Sequence, residues 1–165
     1  MTLTTARLTL HAVQEDEARR IAGRTPGAEG HWAPDYPFGA DLAGIGAFLH
    51  AVERHGPQEP FGYYRVTVLA DGLAIGGIGF KGSPDDGVVE VGYGLVPSAR
   101  SRGYATEALL AFVALAATLG VTTVRADTDP DNVASQRVLE KSGFSRTGAT
   151  ASAFFYELRI GSPAA

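Results

Sequence analysis

The segment "ATEALLAFVALAATL", residues 105–119, restricts the possible folds of this chain more than any other. Apolar side chains (Ala108, Leu109, Leu110, Phe112, Val113, Leu115) run nearly all round it at helical spacing. Such a helix has no face for open water and has to be pinned against a sheet. Its unbroken apolar run, "ALLAFVALAA", is ten residues long, against the ~20 needed to span a bilayer. The run before it, "VVEVGYGLV" (88–96), reads as a strand. Proline removes a ladder donor, so Val96-Pro97 marks the end of pairing, and the strand is expected to part from its neighbour near Val96.

The rest of the chain supplies the sheet. "RLTLHAV" (7–13) reads as a first strand, and "QEDEARRIAG" as a helix with acids in its first turn and arginines later, which suits the helix dipole. A Gly/Pro-rich loop with aromatics spans 24–41, and a glycine-weakened helix follows over "ADLAGIGAFLHAVERHG". "FGYYRVTVLADGLAIGGIGFKG" is two strands about Asp71-Gly72, a dipeptide suited to a type I′ hairpin. After the apolar helix come "VTTVRADT", a short helix over 133–142, and the runs "FSRTGAT" and "SAFFYELRI". The expected fold is α+β, with a mixed, mostly antiparallel sheet of six to seven strands splayed at its centre and about four flanking helices.

With 165 residues, 45% of them hydrophobic and 19% charged, one domain over 1–165 is expected, its last residues, 161–165, frayed. A net charge of −4 argues against broad nucleic-acid binding, which needs a basic face. There is no cysteine, which excludes structural disulfides, thiolate metal sites and a cysteine nucleophile. The start, "MTLTTARLTLHAV", has no long apolar region of the secretory kind, so a cytoplasmic protein with no membrane partner is expected. His11, His31, His50 and His55 show no metal-ligand spacing, and no metal is expected.

Two glycine patterns compete for attention. Gly77, Gly79 and Gly82 in "GIGFKG" match the dinucleotide fingerprint. That fingerprint needs a helix opening within it, and here a turn, "SPDDG", follows instead. These glycines fit a strand that bends or that another group approaches closely. The second pattern, Arg100-x-x-Gly103-x-Ala105, opens the apolar helix. A turn entering a helix presents unsatisfied N–H groups and the positive dipole end. Gly103 removes a Cβ, Ala105 keeps the approach open, and the arginines add charge-assisted contacts. The result is an anion cradle suited to pyrophosphate.

Three blocks in order, "RLTLHAV", "VEVGYGLVPSARSRGYATEAL" and "DPDNVASQRVLEKSGF", carry a resemblance to the GCN5-related N-acetyltransferase (GNAT) family, on the branch of the ribosomal-protein N-terminal acetyltransferases. It covers roughly residues 6 to 160. The resemblance implies acetyl-CoA as co-substrate, a primary amine as acceptor, and a monomer or homodimer. It implies that Arg100, Ser101, Arg102, Gly103, Ala105 and Thr106 form the pyrophosphate loop. Leu95 and Val96 match the strand end that pairs with the pantetheine arm, with a backbone N–H near Val96 facing the thioester oxygen. Asn132 matches the asparagine near the CoA arm, and also suits a helix N-cap.

One departure stands out. Where many members carry a tyrosine as general acid, this chain has Leu139. Ser135 is the branch's alternative donor to the sulfur, and Tyr156 a weaker candidate. Glu90 matches a frequent glutamate; a half-buried strand carboxylate also needs a partner or a function, and a base is needed to take the ammonium proton. The acceptor is expected against the 24–41 loop, with Trp32 and Tyr36 as wall and Asp35 meeting an ammonium group. The alternatives are an acetyltransferase for a small amine such as an aminoglycoside or polyamine, and a non-catalytic acyl-CoA-binding module.

Overall fold

The computed structural model describes residues 1–27 and 30–161; of the end expected to fray, 162–165 lie outside the described residues. Eight strands and four helices follow in the order β1 (Thr2–Thr4), β2 (Leu8–Ala12), α1 (Glu15–Ala22), α2 (Gly39–His55), β3 (Tyr63–Val68), β4 (Ala74–Phe80), β5 (Val88–Leu95), α3 (Tyr104–Thr118), β6 (Thr123–Thr128), α4 (Val133–Lys141), β7 (Ser145–Ala149) and β8 (Phe154–Arg159). A 3-10 turn, Pro97–Ala99, sits between β5 and α3. The sheet runs β1-β2-β3-β4-β5-β6-β8-β7, and every neighbouring pair is antiparallel except β5 with β6. The α+β class and the mostly antiparallel sheet match the sequence reading. The extra strand is β1, which pairs with β2 as an outer edge. Among the described residues no helix is long and apolar enough to cross a membrane.

Alternation assigns the two faces of the sheet. Tyr64, Phe80 and Val91 point to one face, where Phe112 of α3 stacks on Phe80 at 4.1 Å and meets Tyr64 edge-on at 5.1 Å. Ala108, Leu109, Phe112 and Ala116 of α3 are buried against the sheet, but Leu110 is 48% exposed and Ala114 and Ala117 are exposed too, so the helix keeps a solvent face that its all-round apolar sequence does not predict. Arg65, Gly77, Gly79, Glu90, Gly92 and Gly94 point to the other face, where Arg65 pairs with Glu17 of α1 and α2 closes over Gly94.

Two local expectations differ from what forms. The β3–β4 connection is a five-residue loop, Leu69–Leu73, not a two-residue type I′ turn. Gly72 alone takes a positive φ, 72°, and Asp71 Oδ1 accepts the Leu73 N–H at 2.9 Å, so the aspartate closes the turn through its side chain. The splay lies elsewhere too. β5 pairs with β6 only at Val88, Val89 and Glu90, so the strands part after Glu90 rather than near Val96. β5 stays in register with β4 to its end, and the Val96 N–H still bonds to Ile75 O at 2.8 Å. Pro97 thus ends the pairing with β4, while β6 has already diverged.

Candidate active site

Residues 100–106 form the turn that leads into α3. Ser101 and Gly103 both take left-handed φ, 62° and 80°, on either side of Arg102. Alternating right- and left-handed residues aim successive N–H groups into one concavity, and a serine held there is a mark of strain retained at a site. No side chain caps the start of α3. Its only first-turn acid, Glu107, is engaged behind the turn: Oε1 accepts from Thr5 Oγ1 (2.6 Å) and Arg7 N (2.8 Å), Oε2 from Arg7 Nε (2.7 Å). Partial burial pushes the Glu107 carboxyl up, but these bonds and the Arg7 charge outweigh it and hold the group below its ordinary value. Arg7 also donates to Arg102 O at 2.9 Å and lies over the Tyr104 ring at 4.6 Å. Arg7 and Glu107 therefore brace the cradle from a hundred residues apart, and the sequence reading passed over both.

Ser101, Arg102 and Gly103 are exposed; Ala105 and Thr106 are half-buried beside them. Arg100 is partly committed: its Nε donates to Leu95 O at 3.1 Å and its guanidinium lies 5.4 Å from the Phe38 ring centre.

The slot between β5 and β6 begins beyond Glu90. Antiparallel bonding alternates, so with the Val96 N–H given to Ile75, the backbone groups of Tyr93 and Leu95 point away from β4 into the slot. Val96 is differently placed from what the resemblance implies. Its carbonyl accepts from Ala99 N at 3.0 Å and its side chain is fully buried, so neither of its backbone groups is open. Leu95 is the strand-end residue whose N–H faces the gap.

On the α3 face of the slot, Asn132 Oδ1 accepts the Ser135 N–H at 3.1 Å, which makes it the N-cap of α4. Ser135 Oγ lies 3.1 Å from the Tyr93 hydroxyl, which also donates to Ser135 O at 3.3 Å. Burial pushes the Tyr93 phenol up to about 12. Leu139 and Tyr156 are buried in the core.

On the opposite face, Glu90 pairs with Lys81, whose Nζ also meets Asp127 Oδ1 at 2.9 Å. Desolvation pulls the Lys81 ammonium down, but the hydrogen bonds and charges of the two carboxylates outweigh it and leave it raised. The Lys81 hydrogen bond, more than any other cause, holds Asp127 below its ordinary value. This triad spans the point where the β5–β6 ladder stops. Beside it a cavity of about 430 Å³ is lined by Glu90, Arg125, Asp127, Thr147, Phe155 and Glu157 together with Ala126 and Tyr156.

The loop residues lie apart from that cavity. Trp32 bridges to Ala74, at the far end of β4 from Lys81, roughly 24 Å away at ~3.4 Å per residue. Asp35 caps the 3-10 turn, accepting from Ser98 N (2.9 Å) and Ser98 Oγ (2.6 Å), so both its oxygens are in use. Tyr36 is buried against Trp32, ring centres 5.3 Å apart. It neighbours a buried pair in which Tyr63 OH donates to Asp41 Oδ1 at 3.3 Å; burial pushes Asp41 up against the bonds from Phe38 N and Tyr63. Tyr63 lies over Gly77, where a Cβ would sit 1.8 Å from its hydroxyl. That accounts for Gly77 of "GIGFKG": it makes room for a phenol.

Comparison with known proteins gives this geometry a relation. The family model described as "Acetyltransferase (GNAT) domain" matches residues 7–145. The uncharacterized N-acetyltransferase YjdG of Bacillus subtilis is 39% identical over 72 residues, 42% of this chain and 43% of that protein, so the match spans less than half of that relative. The crystal structure of an acetyltransferase from Agrobacterium tumefaciens superposes with a TM-score of 0.68 at 24% identity, covering 97% of this chain and 95% of the other. RimL, a ribosomal L7/L12 alpha-N-protein acetyltransferase in complex with coenzyme A, superposes with a TM-score of 0.67 at 15% identity over 97% and 98% of the two chains.

Proposed function

The chain belongs to the GNAT acetyltransferase family, and from that membership we propose that it moves an acetyl group from acetyl-CoA to a primary amine by direct attack in the slot between β5 and β6. One observation carries this reading. An uncapped helix N-terminus behind a turn with two left-handed residues stands at the mouth of a strand edge that has left its β6 partner after Glu90.

In this reading the N–H groups of 101–106 and the Arg102 side chain hold the pyrophosphate. The Tyr93 and Leu95 backbone takes the pantetheine arm as an added strand, and the Leu95 N–H faces the thioester oxygen. Asn132 fixes the start of α4 beside the arm. The acceptor enters from the cavity beside Glu90, on the opposite face from Ser135. Glu90, paired with Lys81, takes the ammonium proton directly or through water. The amine nitrogen then bonds to the acetyl carbon and gives up its second proton to solvent, the C–S bond breaks with its electron pair on sulfur, and Ser135 donates a hydrogen bond to the departing thiolate. The 24–41 loop serves the acceptor indirectly, by seating α2 and Tyr63.

The test is thiol release from acetyl-CoA with a panel of amines: short peptides with free N-termini, lysine, polyamines and aminoglycosides. Amine-dependent release supports transfer, and the preferred member of the panel separates a protein N-terminus from a small amine. CoA binding with no turnover across the panel would favour an acyl-CoA-binding module.

A further inference from the structure

The phenol that α4 lacks at Leu139 is present in the slot by another route. Tyr93 comes from β5, on the face shared with α4, and its hydroxyl stands 3.1 Å from Ser135 Oγ. A serine hydroxyl has one proton and rotates freely. On the first turn of a helix it can waste that proton on water or on a backbone carbonyl. A fixed donor to its oxygen removes that freedom, because the serine proton must then point elsewhere. Among the described residues the one phenol proton of Tyr93 has two acceptors, both on Ser135: the backbone O at 3.3 Å and the nearer Oγ at 3.1 Å; its ring is half-buried.

We propose that Tyr93 is a positioning residue for thiol release: its hydroxyl donates to Ser135 Oγ and turns the serine proton toward the leaving sulfur. This rests on Ser135 being the group that meets the sulfur. The two hydroxyls in series polarise each other, so the serine becomes a stronger donor than it would be alone.

The step balances without either hydroxyl ionising. The C–S bond breaks and the sulfur leaves with the bonding pair as thiolate, stabilised by the Ser135 O–H; solvent later supplies its proton. A thiol titrates near 8.5, whereas the Tyr93 phenol is pushed up to about 12. Full proton transfer from the phenol to the thiolate would run uphill, so Tyr93 acts by orientation rather than as an acid.

Tyr93→Phe keeps the ring and removes only the hydroxyl. It is compared with Ser135→Ala and the double variant, reading kcat, KM for acetyl-CoA and Tm. The expected result is a kcat about 2- to 10-fold lower in Tyr93→Phe, the worth of one hydrogen bond, with KM and Tm near wild type. The double variant should be no slower than Ser135→Ala alone, because the phenol works only through the serine. Wild-type kcat in Tyr93→Phe with a slow Ser135→Ala overturns the role of Tyr93 and leaves Ser135 standing. Wild-type kcat in Ser135→Ala overturns the Ser135 reading itself. Losses that multiply in the double variant overturn the serial arrangement.

Discussion

Gly103→Val attacks the cradle at the position where backbone geometry matters most. Gly103 holds φ 80° and ψ 5°, a conformation that costs an L-residue about 1–2 kcal/mol and more when it is β-branched. The added Cβ would meet only Arg7 Nη2, at 3.3 Å, the end of a flexible side chain, so the backbone carries the strain. Two outcomes are physically open, and they read out differently. If the turn holds, the strain appears as lost stability, and Tm falls by roughly 2–8 °C at about 2–4 °C per kcal/mol. If the turn yields, the N–H groups of Tyr104 and Ala105 swing away from the anion. Each hydrogen bond to a charged group is worth about 1.5–3 kcal/mol, so losing one weakens CoA binding roughly 10- to 150-fold. Calorimetric titration with CoA, run beside a thermal melt, measures both. Gly103→Asn is the control: it carries the same Cβ but tolerates the left-handed region. Valine binding CoA like wild type with an unchanged Tm would refute the cradle. So would asparagine failing as badly as valine, since the cause would then be bulk rather than φ.

Glu90→Gln should lower kcat mainly at the acid end of the pH profile, where amine deprotonation limits the rate; a profile parallel to wild type would make Glu90 structural. The Glu107 carboxyl is held below its ordinary value, so it contributes stability above its unfolded pKa, about 4.3, and loses it as pH falls through the lower folded value. Glu107→Gln should therefore flatten the fall of Tm between about pH 5 and 3 and raise KM for acetyl-CoA by loosening Arg7 from Arg102 O; an unchanged acid slope would refute the bracing. Gly77→Ala places a Cβ 1.8 Å from the buried Tyr63 hydroxyl and should cost about 3 kcal/mol or more by overpacking. Gly46→Ala, with nothing within 4 Å, should gain about 0.5–1 kcal/mol in the same urea titration. Equal effects from the two would mean that Tyr63 is not locked in place.

The sequence yields what is local or periodic. An apolar helix, alternating strands and a glycine turn each state their local structure within a dozen residues, and α3 and β5 form within a residue of the spans read. Most of what it conceals is set by register. Lys81 follows a hairpin strand with no motif of its own, yet pairing of Lys81 with Glu90 across β4 and β5 and the approach of β6 bring Asp127 to it. Tyr93 reads as one more aromatic in "GYGL" until its face is known. Asp35 reads as a carboxylate for an ammonium group because nothing in its neighbourhood announces its Ser98 contact, 63 residues on.

Register also gives the glycines of "GIGFKG" a role that no fingerprint supplies. Gly77 lies opposite Gly94 and Gly79 opposite Gly92, so four positions without side chains form one block on the face of the sheet that carries Tyr63 and α2. Three groups occupy the space they leave. Tyr63 lies over Gly77 and Gly79, Ala40 at the start of α2 would be 2.7 Å from a Cβ on Gly94, and the Lys81 stem 3.3 Å from one on Gly92. A side chain at any of the four would lift α2, the Tyr63–Asp41 pair or Lys81 away from β5 where it leaves β6. The open slot and the close approach of its surroundings therefore have one cause. Strands that part would ordinarily expose a gap to water. Here the glycine block lets α2, Tyr63 and Lys81 press in against β4 and β5 beside the gap.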